Sequence, residues 1–196
     1  VANKIATCEI KGVAHLIVHN GQMADPLNEW AKALKKVSGK RNKTDADHEK
    51  MAELEFRGGL YLNAEGKAII PGKCIEGMLV KGANHSKRGK VIKSFVFTML
   101  EEWPLIYTGP HSVDELWADT KFRRRDLVVI KGARIMRTRP TFTDWKLKFE
   151  LCFDDTGINP EALQEILELA GRITGLGDWR PKHGRFTVEK FDVRDA

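Results

Sequence analysis

Residues 145–188 read "WKLKFELCFDDTGINPEALQEILELAGRITGLGDWRPKHGRFTV", and the hydrophobic period changes twice along them. Trp145, Leu147, Phe149, Leu151 and Phe153 alternate with Lys146, Lys148 and Glu150. A period of two is that of a half-buried strand, with the apolar set facing a core. After Pro160 the apolar residues Leu163, Ile166, Leu167 and Ala170 recur at helical spacing, and proline suits a first helical turn, so a helix is predicted over 159–173. Gly175 and Gly177 then open a loop, and a last strand is predicted over 185–193.

Working outward, "KIATCEIKGVAHLIV" (4–18) predicts a long strand bent at Gly12. Cys74, Ile75, Met78 and Leu79, extended by Ala83, give a short helix over 73–83. "DLVVIKGARIMRTRP" (126–140) predicts a strand over 127–139, next to the strand over 142–153. The order β (4–18), α (73–83), β (127–139), β (142–153), α (159–173), β (185–193) is that of a split βαβ. The expectation is an α+β protein with a modified ferredoxin-like (RRM-like) core. It is one domain, 1–196, with core segments 4–18, 73–83 and 127–193 and insertions 20–57 and 87–126. The insertions hold helices over 27–37 and 46–57, and short strands and loops over 94–126. Between them, "LYLNAEGKAII" (60–70) reads as a hairpin. In a split βαβ sheet one face carries the helices, and RNA-recognition modules use the open one.

The chain has 196 residues, 42% of them hydrophobic, with a formal charge of +6. That supports a real core and favours anionic partners, nucleic acid first. Cys8, Cys74 and Cys152 have no short spacing, which predicts neither a disulfide framework nor a zinc site. No apolar run approaches the ~18 residues that span a bilayer, and no secretory signal pattern is visible, so the expected setting is cytoplasmic, with no membrane partner.

The basic residues are grouped. Lys35, Lys36, Lys40, Arg41 and Lys43 form one group, and Lys81, Lys87, Arg88, Lys90 and Lys93 a second. Lys121, Arg123, Arg124 and Arg125 form a third, Arg134, Arg137 and Arg139 a fourth, and Arg180, Lys182, His183 and Arg185 a fifth. Any one group reads as a solvated face; together, with Trp103, Trp117 and Trp179 interleaved, they point to a groove that tracks a nucleic-acid backbone. The loop "GLGDWRPKHGR" (175–185) has two readings. Its glycines cap a helix, or they let backbone N–H groups and Arg180 reach phosphates while Trp179 stacks on a base.

Other chemistries find little footing. His15 and His19 lie in a strand and its following loop, a poor placement for one metal ion, and no metal or cofactor is expected. There is no phosphate-binding loop of the strand–glycine–lysine type, and "GLGDWR" follows a helix rather than a strand, against dinucleotide binding. Asp25, His19 or His183 would be the acid or base of an enzyme, but no spacing pairs them. The expectation is a protein without catalytic activity.

"IPGKCIEGMLVKGA" (70–83) resembles the helix-opening segment of the RAMP superfamily, the repeat-associated proteins of CRISPR systems. "GLGDWRPKHGRFTV" (175–188) resembles the glycine-rich loop of that superfamily, in the same order along the chain. The likeness within it is to the Cas-seven-type backbone subunits, and to phage-encoded proteins with strings like "RPTFTDW" (139–145). Two positions depart from the pattern: Glu76 stands where a Lys is frequent, and Phe186 replaces the last glycine-rich position.

The resemblance implies RNA binding through Lys73, Lys81, Arg180, Lys182 and His183, around Gly175, Gly177 and Trp179. Basic insertion residues Lys87, Arg88, Arg123, Arg124 and Arg125 would add contacts, as would Arg137 and Arg139. It also implies self-association side by side along the strand. A phage setting, in the host cytoplasm, allows single-stranded DNA equally. A RAMP-type endoribonuclease and a mimic that interferes with CRISPR assembly stand as alternatives.

Overall fold

The computed structural model describes residues 3–130 and 132–196. The chain divides into two compact units, one formed by Val1–Leu16, Ile69–Thr108 and Thr143–Ala196, the other by Ile17–Ala68 and Gly109–Phe142.

The first unit is built on a sheet. Strand β1 (Asn3–Gly12) lies between β8 (Trp145–Asp154) and β9 (Phe186–Asp195), antiparallel to both. The full order is β3-β5-β8-β1-β9, with β3 at Ile69–Pro71 and β5 at Glu102–Tyr107; β4 (Val96–Thr98) also pairs with β8. Ala6, Cys8 and Ile10 register with Leu151, Phe149 and Leu147, and all six are buried. This inner face belongs with the buried stripes of α3 (Gly72–Asn84: Ile75, Met78, Leu79) and α6 (Pro160–Ile173: Leu163, Ile166, Leu167, Ala170). Gly82 lets the two helices touch, because a Cβ there would lie 2.7 Å from the Ala170 Cβ. The short α4 (Gly89–Phe95) leads from α3 into β4. Burial pushes the Cys8 thiol far above its usual range, so it packs as a small apolar group, and the three cysteines form no disulfide.

The second core strand is not the expected one. Residues 127–139 do not enter this sheet; its place beside β8 is taken by β4 and β5, from the stretch read as an insertion. The reason lies in length and regularity. The true partner is split into pieces of 3 and 6 residues by the bend at 99–101. The stretch 127–139 is itself two strands: one ends at Ile130, Gly132 takes a positive φ, and the next starts at Ala133, so the β-branched run pairs with its own continuation.

The second unit holds what 123–142 does form. Strands β6 (Arg123–Ile130) and β7 (Ala133–Phe142) make an antiparallel hairpin, with β2 (Leu16–Ile17) completing the order β2-β7-β6. Beside it stand α1 (Glu29–Ser38), α2 (Asp45–Gly59) and α5 (Val113–Ala118). Thr44 and Asp47 form a reciprocal capping box at the start of α2. Lys40 reaches the same carboxylate at 2.5 Å, and its hydrogen bond, more than the Thr44 N–H, holds Asp47 down to about 2. The hairpin expected over 60–70 shrinks to one bridge, Leu62 to Ala68, closed by the turn at Asn63–Gly66. No helix among the described residues is long and apolar enough to cross a membrane.

Candidate nucleic-acid interface

The outer face of the first unit's sheet is ruled by charge pairing. Lys148 meets Glu9 at 3.2 Å, Lys146 meets Glu189 at 3.0 Å, and Glu150 takes Arg194 at 3.3 Å and the Thr7 hydroxyl at 3.1 Å. Cations and anions alternate across the strands, so the face offers a phosphate chain no net attraction. Its exposed aromatic, Phe97 of β4, stands opposite Cys152 on this face and is 52% exposed. Trp103 is buried edge-on to Phe149 and belongs to the core, as does the fully buried Trp145.

The glycine loop leaves the end of α6, where the Gly175 N–H returns to the Ala170 carbonyl at 2.8 Å. Gly175, Gly177, Trp179 and Gly184 all have positive φ. The loop closes on itself: the Leu176 N–H donates to Gly184 O, His183 N–H to Trp179 O, and Gly184 N–H to His15 O. These amides are consumed internally. The glycines thus let the loop fold back on itself, and of the loop N–H groups expected to reach phosphates, those of Gly175, Leu176, His183 and Gly184 are spent inside the protein instead. His183 is corrected too: it is 7% exposed, and its ring stacks on Trp179 at 6.0 Å. Packing aromatic on aromatic stiffens the loop from beneath. Lys182 and Arg185 stay exposed at its surface, and Arg180 is half-buried. Phe186, a departure from the family pattern, is core, edge-on to Trp145 at 6.3 Å.

This construction gives a stability prediction. A Cβ at Gly184 would lie 1.7 Å from the Leu176 carbonyl oxygen, at a φ of +72°. Gly184→Ala is expected to cost more than about 2 kcal/mol in urea unfolding. Gly66→Ala shares the positive φ but meets nothing within 4 Å, and should cost about 1 kcal/mol.

Lys81 and Lys73 lie at opposite ends of α3, about 12 Å of helix rise apart. Lys81 adjoins Gly82, whose contact with Ala170 brings it to the base of the loop; Lys73 is exposed in the first turn. Glu76 ties α3 to β4, because its carboxylate accepts the Thr98 N–H and hydroxyl, both at 3.0 Å. Lys87, in left-handed conformation, and Arg88 are exposed in the turn between α3 and α4.

In the second unit Arg123, Arg125 and Arg137 line one cleft of about 1180 Å³ between α1, α2 and the hairpin. Arg123 lies across the Trp117 ring at 4.4 Å, and Arg137 pairs with the buried Glu55. Arg124, paired with Asp126, sits directly opposite Arg139 on the hairpin. Neither the cleft nor Glu55 is foreshadowed by any local pattern; an acid between the apolar Leu54 and Phe56 is the one available clue. Asp25, the acid of the enzyme alternative, accepts the Leu27 N–H at 2.8 Å and builds a turn. Among the described residues no group of three or more His, Cys, Asp or Glu is placed to hold a metal ion.

The fold has a solved counterpart. A chain in the cryo-EM structure of the type III-B Cmr-beta bound to cognate target RNA superposes with a TM-score of 0.57 at 11% identity, over 99% of this chain. This chain spans 61% of that neighbour's length. Cmr6 from Pyrococcus furiosus gives a TM-score of 0.44 at 14% identity, covering 95% of this chain and 99% of that one. No family model and no curated protein matches the sequence. The likeness is one of fold.

Proposed function

We propose that this chain is a non-catalytic subunit of RAMP type that binds single-stranded nucleic acid, RNA first, and sets copies side by side along the strand. The observation that carries the reading is the braced loop 175–185, which holds Arg180 and Lys182 on a frame closed by the Leu176, His183 and Gly184 N–H bonds. A pre-ordered cationic loop loses little freedom when it takes a phosphate. Three further observations support it. The element order β1, α3, β4/β5, β8, α6, β9, with sheet order β9-β1-β8-β5, is compatible with the ferredoxin-like arrangement that the RAMP reading calls for. The fold neighbour comes from an RNA-bound structure. The net charge is +6.

The test is fluorescence anisotropy with labelled single-stranded RNA, single-stranded DNA and duplex over a salt series. Log affinity should fall with log salt at about −0.7 per phosphate contacted. Both single strands should stay intact with and without divalent metal. Micrographs with a long strand should show rods. A flat salt dependence or a preference for duplex overturns binding of this kind; cleavage lost in Asp25→Asn would establish the nuclease instead. Isolated particles at saturating protein remove the side-by-side arrangement.

A further inference from the structure

Helix α1 has a stripe of Trp30, Ala31, Leu34 and Val37, yet none of its residues is fully buried. Ala31 and Leu34 face the cleft of the second unit, where Met23, Met51, Ile135 and Met136 join them. The apolar surface runs on past the cleft. Leu127 stands directly opposite Met136 in the hairpin register, and Val129 follows on the same face; the three are 53%, 43% and 67% exposed. Around this strip lie Lys35, Lys43, Arg125 and Arg134. The acids of the cleft are fewer, and Glu55 is already neutralised by Arg137.

We propose that this cleft is a docking groove for an amphipathic helix with acidic flanks, supplied by a partner protein. Its volume, about 1180 Å³, exceeds the usual range for a small ligand of about 300–1,000 Å³. The floor chemistry decides between a peptide and a nucleic acid. Bases bind by stacking on aromatic faces. Trp117 is the one Phe, Tyr or Trp among the described lining residues, and its ring already has Arg123 across it and Phe56 against it at 5.4 Å. What the floor offers is aliphatic and thioether surface. Methionine adapts its shape to leucine and isoleucine side chains, as in grooves that receive amphipathic helices. The rim supplies the sign: lysine and arginine on both banks match carboxylates along the flanks of such a helix. A basic helix would meet repulsion on both sides.

Methionine itself reports the event. Three of the five methionines, Met23, Met51 and Met136, line the cleft, while Met78 is in the core of the first unit and Met99 is exposed there. In the full chain carrying ¹³C-methyl methionine, the probe is a peptide of about 18 residues, about five helical turns, with leucine on one face and glutamate elsewhere. Its lysine counterpart and oligouridine are the other arms. The glutamate peptide should shift the methyl signals of Met23, Met51 and Met136 and leave Met78 in place. Leu127→Glu with Met136→Glu, both at exposed positions, should weaken its binding at least about tenfold, with the melting temperature unchanged. The proposal falls if the glutamate peptide leaves these signals unmoved, or if the lysine peptide binds as well. It falls equally if oligouridine shifts the three cleft methyls, in which case the groove is a nucleic-acid site.

Discussion

Arg180→Ala combined with Lys182→Ala should weaken binding to single-stranded RNA about 25-fold at about 0.1 M salt and leave the fold standing. Each lost phosphate contact removes about 0.7 from the slope of log affinity on log salt, so the slope should flatten by about 1.4 and log affinity fall by the same amount at this salt. Stability tells the two possible roles of the loop apart. Lys182 is exposed and Arg180 half-buried, while the closing hydrogen bonds run through Gly175, Leu176, His183 and Gly184. Side-chain changes away from those bonds alter stability by less than about 0.5 kcal/mol, or about 2 °C in a chain of this size. Anisotropy titrations and a thermal melt on the same samples check both numbers. Unchanged affinity would reduce the loop to a helix end and a strand entry; a collapsed melting temperature would make its cations part of the fold.

The loop's place was legible in the sequence, and its mechanics were not. Glycine spacing after an amphipathic helix marks a turn that needs positive φ, and the structure has it at Gly175, Gly177 and Gly184. Whether the freed amides point outward or inward depends on what lies across from them, here the His15 carbonyl, which comes from the far end of the chain. The same division runs through the fold. The half β8–α6–β9 follows from period alone, since each change of period lies within one continuous segment. Pairing does not follow from period. The 123–142 hairpin has the alternation of a core strand pair, but alternation names a face and not a neighbour, and the neighbour was β4 and β5. The cleft of the second unit is assembled from segments around residues 23–55 and 117–138, so no local spacing announces it.

Glu55 shows what such assembly places out of sight, and Glu55→Ala should be among the damaging changes in the second unit. The side chain is 8% exposed between Leu54 and Phe56. One carboxylate oxygen takes the Arg137 guanidinium; the other takes the Thr138 N–H of β7 at 2.8 Å. β7 thus finds an acceptor on α2 at Thr138, whose register partner across the hairpin is Arg125 of β6. Alanine removes the ion pair, leaves the buried Thr138 N–H without this acceptor, and strands a guanidinium that is only 30% exposed. Together these cost about 2–4 kcal/mol, at the lower end if water reaches Arg137. Glu55→Gln keeps an acceptor for Thr138 but turns the other position, toward Arg137, into an NH2 donor. It loses the charge and the Arg137 bond while saving the Thr138 bond, so it should cost less than alanine. Amide hydrogen exchange over β6 and β7 reads the loss where it occurs, with faster exchange in the order wild type, Gln, Ala. Arg137→Ala then decides the predicted role of that arginine in binding RNA. Tied to Glu55, the arginine serves the hairpin, so its loss should lower protection there and leave RNA affinity as it was. A variant that keeps its protection and loses affinity would return Arg137 to the interface.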